Sequence, residues 1–143
     1  MIKFTPLPAP LAVDPAKTVT KTVDAANGFP CRRCLRDGKI GEEILLVSYD
    51  PFLGVSPYTG PGPIYVHRDC ERYECNGTVA DQQRRRLLAV RGYSKDHMLM
   101  DFVVTQGSEL AEKAEGLFQN KDVGYLHAYY AGPGCFAVRI DRV

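Results

Sequence analysis

The sequence predicts an α+β fold: a single domain over residues 1–143, with a mostly antiparallel β-sheet of about six strands and one main helix at about 109–119. Apolar runs of strand length, separated by proline and glycine turns, fill most of the chain. Only one stretch carries a sustained helical period, and helices do not alternate with the strands, which excludes a parallel βαβ sheet. At 143 residues with 45% hydrophobic and 24% charged content, the chain is long enough to bury one core.

Residues 2–7 read as a short strand with Ile2, Phe4 and Leu7 inward, and Pro8, Pro10 and Pro15 keep residues 8–17 extended and irregular. Thr18 to Val23 has weak β-character, which Gly28-Phe29-Pro30 breaks. Glu43 to Tyr49 is a strand whose unbroken Ile44-Leu45-Leu46-Val47 run predicts cover on both faces. Seven of the thirteen positions in 51–63 are Pro or Gly, so that segment is a loop, and a loop this long is more often functional than idle. Ile64-Tyr65-Val66 is a short strand leading to His67. Strands follow over Arg84–Tyr93 and Met98–Thr105. Ser108 is placed to cap the helix, and Leu110, Ala111, Ala114, Leu117 and Phe118 share one of its faces. Val123–Tyr130 and Cys135–Arg142 form a hairpin around Ala131-Gly132-Pro133-Gly134.

A net charge of +1, from 18 Lys+Arg against 17 Asp+Glu, argues against non-specific nucleic-acid binding and against a polybasic membrane surface. No apolar run reaches the roughly 18 residues that span a bilayer, and the start of the chain has no secretory apolar segment. The expected compartment is therefore the cytoplasm. Five cysteines, an odd count, do not suit a closed disulfide framework and fit reduced thiols better. Asn76-Gly77-Thr78 reads as a chance glycosylation match.

Chemistry concentrates in two x₂-spaced pairs, Cys31-Arg32-Arg33-Cys34 and His67-Arg68-Asp69-Cys70. Zinc takes four soft or borderline ligands in a tetrahedron, and two residues of one turn at this spacing reach the same ion. Antiparallel pairing of strands 43–49 and 64–66 would bring Cys34 and His67 to the same end of a hairpin. Free thiols beside an ordinary polar histidine are the alternative, and a redox pair at Cys31–Cys34, acidified by Arg32 and Arg33, is a third. Cys75 offers a substitute ligand, and Cys135 reads as a small buried hydrophobe.

His127 shares a strand face with Tyr125 and Tyr129, and the hairpin should place it beside Val138 and near Phe136. It is either a hydrogen-bonded core histidine or a general acid/base facing loop 51–63. His97 is expected in solvent. His67-Arg68-Asp69 matches the kinase catalytic tripeptide by chance, since the companion motifs are missing. Arg84-Arg85-Arg86 reads as a solvated edge strand guarded by charge. Arg139 projects from an otherwise apolar strand and could meet an anion.

These strings resemble a bacterial family. Phe29-Pro30-Cys31-Arg32-Arg33-Cys34-Leu35, Gly41-Glu42, Ser48-Tyr49-Asp50-Pro51-Phe52, Pro57-Tyr58 and Gly62-Pro63-Ile64-Tyr65-Val66-His67 look like the family called domain of unknown function 1203. Arg91-Gly92-Tyr93 and Gly132-Pro133-Gly134-Cys135-Phe136 continue the match, which runs from about Phe4 to Arg142. The resemblance implies a bacterial origin and no assigned activity. Family members often carry a histidine between the first two cysteines. Here both intervening residues are arginine, so no role for that ring carries over.

The sequence thus supports a cytoplasmic binding or interaction module with a zinc knuckle at Cys31, Cys34, His67 and Cys70. A small ligand or a protein would be its partner, and self-association is compatible with it. The alternative is a thiol- or histidine-dependent enzyme with His67 or His127 as acid/base, a cysteine of the first knuckle such as Cys31 as nucleophile, and Arg33 or Arg139 on a small anionic substrate near loop 51–63.

Overall fold

Apolar alternation resolves into eight strands among the described residues, in two antiparallel sheets. The computed structural model describes residues 1–8, 11–74 and 77–143. The strands are β1 (Ile2–Thr5), β2 (Val19–Thr22), β3 (Glu43–Tyr49), β4 (Gly62–Val66), β5 (Leu87–Tyr93), β6 (Leu99–Gln106), β7 (Tyr125–Tyr130) and β8 (Phe136–Arg142). The helices are α1 (Asp81–Arg84) and α2 (Leu110–Leu117). The larger sheet has the order β1-β8-β7-β5-β6 and the smaller β2-β3-β4. No helix is long and apolar enough to cross a membrane.

The molecule has three layers. On one face of the larger sheet, Leu110, Ala114 and Leu117 of α2 pack on Leu88, Val90, Leu126 and Ile140. On the other face, Leu45, Val47, Ile64 and Val66 of the smaller sheet pack with Tyr129 and Phe136. Strand β7 is covered on both sides, and all six of its residues are buried. Each fully buried Leu or Ile stabilises this arrangement by roughly 1.5–3 kcal/mol.

Several local expectations change. Gly62 and Pro63 join β4 rather than the preceding loop. The segment before β5 is the helical turn α1, so Arg84 lies in a helix and not on a sheet edge. Ser108 sits in a 3₁₀ turn over Gly107–Glu109 and makes no cap; the residue preceding α2 is Glu109. Cys75 and Asn76, invoked above as a ligand and a glycosylation match, lie outside the described residues.

Gly107 is where the 3₁₀ turn meets α1. Its amide donates to the Arg86 carbonyl at 2.7 Å. A Cβ at this position would land on the Gln83 carbonyl, a backbone group that cannot swing aside. Gly107→Ala should therefore destabilise the chain by about 1–3 kcal/mol, as overpacking does. The check is the urea unfolding midpoint, which would fall with the slope unchanged.

Candidate metal centre

The first knuckle is a turn pinned at both ends. The Cys31 amide donates to the Arg36 carbonyl at 3.0 Å and the Leu35 amide to the Cys31 carbonyl at 3.1 Å. Leu35 takes a left-handed φ of 56°, which reverses the chain after Cys34. The Arg32 amide then donates to Tyr65 of β4 at 3.0 Å, tying the turn to the smaller sheet. Strands β3 and β4 pair antiparallel, Leu45 opposite Val66, so β4 delivers His67 beside the knuckle.

The four expected ligands converge. The ligand atoms of Cys31, Cys34, His67 and Cys70 all lie within 4.8 Å of one another. Cys31 Sγ is 3.8 Å from Cys70 Sγ, and Cys34 Sγ is 3.6 Å from His67 Nδ1. A tetrahedron with zinc–sulfur bonds of about 2.3 Å and a zinc–nitrogen bond of about 2.0–2.1 Å has edges of roughly 3.8 Å (S–S) and 3.6 Å (S–N). The donor set and its spacing therefore fit a tetrahedral ion. Nδ1 of His67 faces the cluster, and its buried Nε2 makes no hydrogen bond, with Glu42 Oε1 3.6 Å away. The His67 amide donates to Cys31 Sγ at 3.3 Å.

The cluster favours thiolate at Cys31 alone. The Cys31 thiol is brought down to about 4, first by the hydrogen bond from Cys34, with the backbone amides of Cys34, His67 and Arg33 working against burial. Cys34 is pushed up, first by donating that bond and then by burial. Burial and the neighbouring Cys31 charge raise Cys70. The guanidiniums expected to acidify the pair are not its chief causes. Arg32 turns away, donating to the Phe136 carbonyl and to Cys135 Sγ. Arg33 is buried at 5% exposure, reaches the His67 carbonyl at 3.2 Å, and leaves Nε without a partner.

A second concavity of about 400 Å³ opens beneath loop 51–63, walled by Tyr49, Phe52, Tyr58, Tyr93, Tyr129 and Arg91. Asp50 holds the loop by accepting from the Phe52 and Gly54 amides at 3.0 and 2.9 Å. This drives Phe52 into the core at 6% exposure. Arg91 lies 4.3 Å over the Tyr129 ring, with no carboxylate in ion-pair reach among the described residues.

His127 lies under this floor, fully buried, with its ring 4.7 Å from Phe52 and Nδ1 3.2 Å from the Tyr129 hydroxyl. Its Nε2 has no partner. A register shift at Ala128/Tyr129 sets it opposite Arg139, whereas Val138 pairs with Ala128 on the other face. Arg139 is engaged by Asp141 at 2.9 Å and stacks 4.2 Å over Tyr125. His97, expected in solvent, meets the Tyr125 hydroxyl at 2.8 Å. Cys31 belongs to the thiol cluster and makes no hydrogen bond or ring contact with His127. His127 and Arg139 thus face each other across β7 and β8, whereas Cys31 lies with His67 and Arg33 at the thiol cluster. Glu42 and Phe52 were visible only as letters in short motifs; their contacts come from tertiary structure.

Residues 28–142 match a family model described as Protein of unknown function (DUF1203). The chain belongs to that family. No curated protein and no solved structure matched it. In this DUF1203 chain the matched span begins three residues before Cys31 and contains the whole thiol–imidazole cluster and the aromatic concavity.

Proposed function

We propose that this chain is a non-catalytic binding module of the cytoplasm, stapled by a structural zinc ion at Cys31, Cys34, His67 and Cys70. The observation that carries the reading is the match between the S–S and S–N separations, 3.8 and 3.6 Å, and the edges of a zinc tetrahedron. Charge supports it as well. Three thiolates around a dication leave one net negative charge, and the buried Arg33 beside them is the compensating cation. Four protein ligands leave no open position, so the metal holds structure and does no chemistry. The concavity under loop 51–63 is then the ligand face. Its aromatic walls suit a small planar group, and the unpaired Arg91 suits an anionic one.

Elemental mass spectrometry with thiol titration of the same sample tests this reading. About one zinc per chain, with the three cluster thiols slow to react until a chelator is added, is the expected result. A metal-free protein with a fast-reacting thiol would replace it with the second reading, which the Cys34–His67 contact of 3.6 Å and the acidified Cys31 favour: a thiol-dependent enzyme or redox site.

A further inference from the structure

Arg32 is the largest fully buried side chain in the protein, at 1% exposure. Its partners are the Phe136 carbonyl at 2.7 Å, the Pro30 carbonyl at 2.6 Å and Cys135 Sγ at 3.0 Å. All three are uncharged acceptors or a thiol, and they leave part of the guanidinium's donor fork unspent. No carboxylate lies within ion-pair distance of Arg32 among the described residues. A buried cation in this state lacks the partner that ordinarily offsets its desolvation.

A second cation stands alongside. Arg32 and Arg86 each place their guanidinium carbon 5.1 Å from the Tyr130 ring centroid. One carboxylate, Asp37, serves the neighbourhood, and it is already shared: Arg86 binds it at 2.7 Å and Arg85 approaches at 3.7 Å. Arg85 and Arg86 thus share one acid, and Arg32 pairs with none among the described residues. Arg32 and Arg86 also line a concavity of about 360 Å³ with Tyr65, Tyr130, Cys135 and the Gly132-Pro133 turn. It lies across that turn from the aromatic concavity, and Pro133 and Cys135 line both.

We propose that this concavity is a binding site for a small oxyanion, a carboxylate or phosphate group, with Arg32 and Arg86 as its cationic wall and Tyr65 and Tyr130 as its apolar one. A guanidinium fork matches the planar or tetrahedral oxygens of such groups. The unspent donors are those of Arg32, while Arg86, whose Nη groups already donate to Asp37 and to the Gln82 and Asn27 carbonyls, contributes charge. The anion supplies the countercharge that Arg32 lacks among the described residues. The site is separate from the ligand face under loop 51–63 and does not depend on the identity of the ion at the thiol cluster.

The test is the full-length protein titrated with inorganic phosphate and, separately, acetate at constant ionic strength. Melting temperature and the NMR signals of the arginine Nε–H groups are followed together. The expected result is a saturable rise in melting temperature with selective shifts at Arg32 and Arg86. Phosphate alone acting indicates a phosphate source for the natural ligand, and acetate acting too indicates the wider oxyanion class; both support the site. Arg86→Gln should weaken phosphate binding about tenfold, and Asp37→Asn, which removes the competing acid, should tighten it several-fold. Because Arg86→Gln strands Asp37 and puts folding at risk, the Asp37→Asn arm stands on its own. A non-saturable response, or an affinity unmoved by Asp37→Asn, would overturn the proposal.

Discussion

Cys70→Ser should lower the melting temperature by roughly 10–20 °C and abolish metal retention. Cys70 is half-buried on the segment that follows His67 and only packs against the edge of the core, so its replacement leaves little core to disturb. The loss therefore reports the metal. Structural zinc contributes about 10–16 kcal/mol to folding in peptides that have no other core. This chain has its own packed sheets, so a smaller share, about 3–5 kcal/mol, is at stake here. At roughly 3–4 °C per kcal/mol for a domain of this size, that gives the range stated. Calorimetry of wild type, Cys70→Ser and chelator-treated wild type makes the comparison. The last two should coincide. A variant that melts like wild type would mean that the cluster holds no stabilising ion.

The second large effect is acid sensitivity set by His127. Its folded value is held down to about 3 from 6.5, first by burial and then by Arg139, with Arg91 and His97 adding to the effect and Asp50 opposing it. Between those values the unfolded chain binds a proton that the folded chain refuses, so stability falls as pH drops through that window and is constant above it. The loss reaches about 2 kcal/mol near pH 5 and roughly 4–5 kcal/mol at the acid limit. Thiolate protonation also weakens metal binding in acid, so the informative quantity is a difference. His127→Phe keeps the ring contacts with Phe52 and Phe136 and removes the titration. Urea unfolding free energies of wild type and variant between pH 7 and 5 should converge or cross as the pH falls. Parallel curves would show that His127 is not the acid-sensitive group.

Much of the candidate metal centre's cluster could be read from the chain, because its logic is local. Two x₂ spacings and one short antiparallel hairpin suffice to bring four ligands together, and β3–β4 pairing does so. The same holds for α2, whose buried Leu110, Ala114 and Leu117 follow the helical period. What escaped was set by partners distant in sequence. Arg86 looked like part of a solvated triple because Asp37, its acid, lies 49 positions away. A four-residue turn such as α1 is too short to show a period. Tyr125, Tyr129 and Phe136 do lie against His127, but Val138 was misassigned because alternation assumes an unbroken ladder, and the register shift at Ala128/Tyr129 exchanges Val138 for Arg139. The division of the strands into two stacked sheets had no sequence signal either. It explains why β7 carries Tyr, His and Tyr on one face yet buries them all.

The placement of the four ligands also has a consequence for synthesis. Cys34 precedes His67 by 33 positions, and Cys31 precedes Cys70 by 39. At ribosomal rates of about 5–20 residues per second, the first two thiols leave the tunnel roughly 2–8 s before the last ligand. During that interval they are an adjacent pair that has not yet gained its partners from the far end of the hairpin. The nascent chain is then most open to oxidation or to capture of a wrongly coordinated ion, and completion of the β3–β4 hairpin ends that exposure.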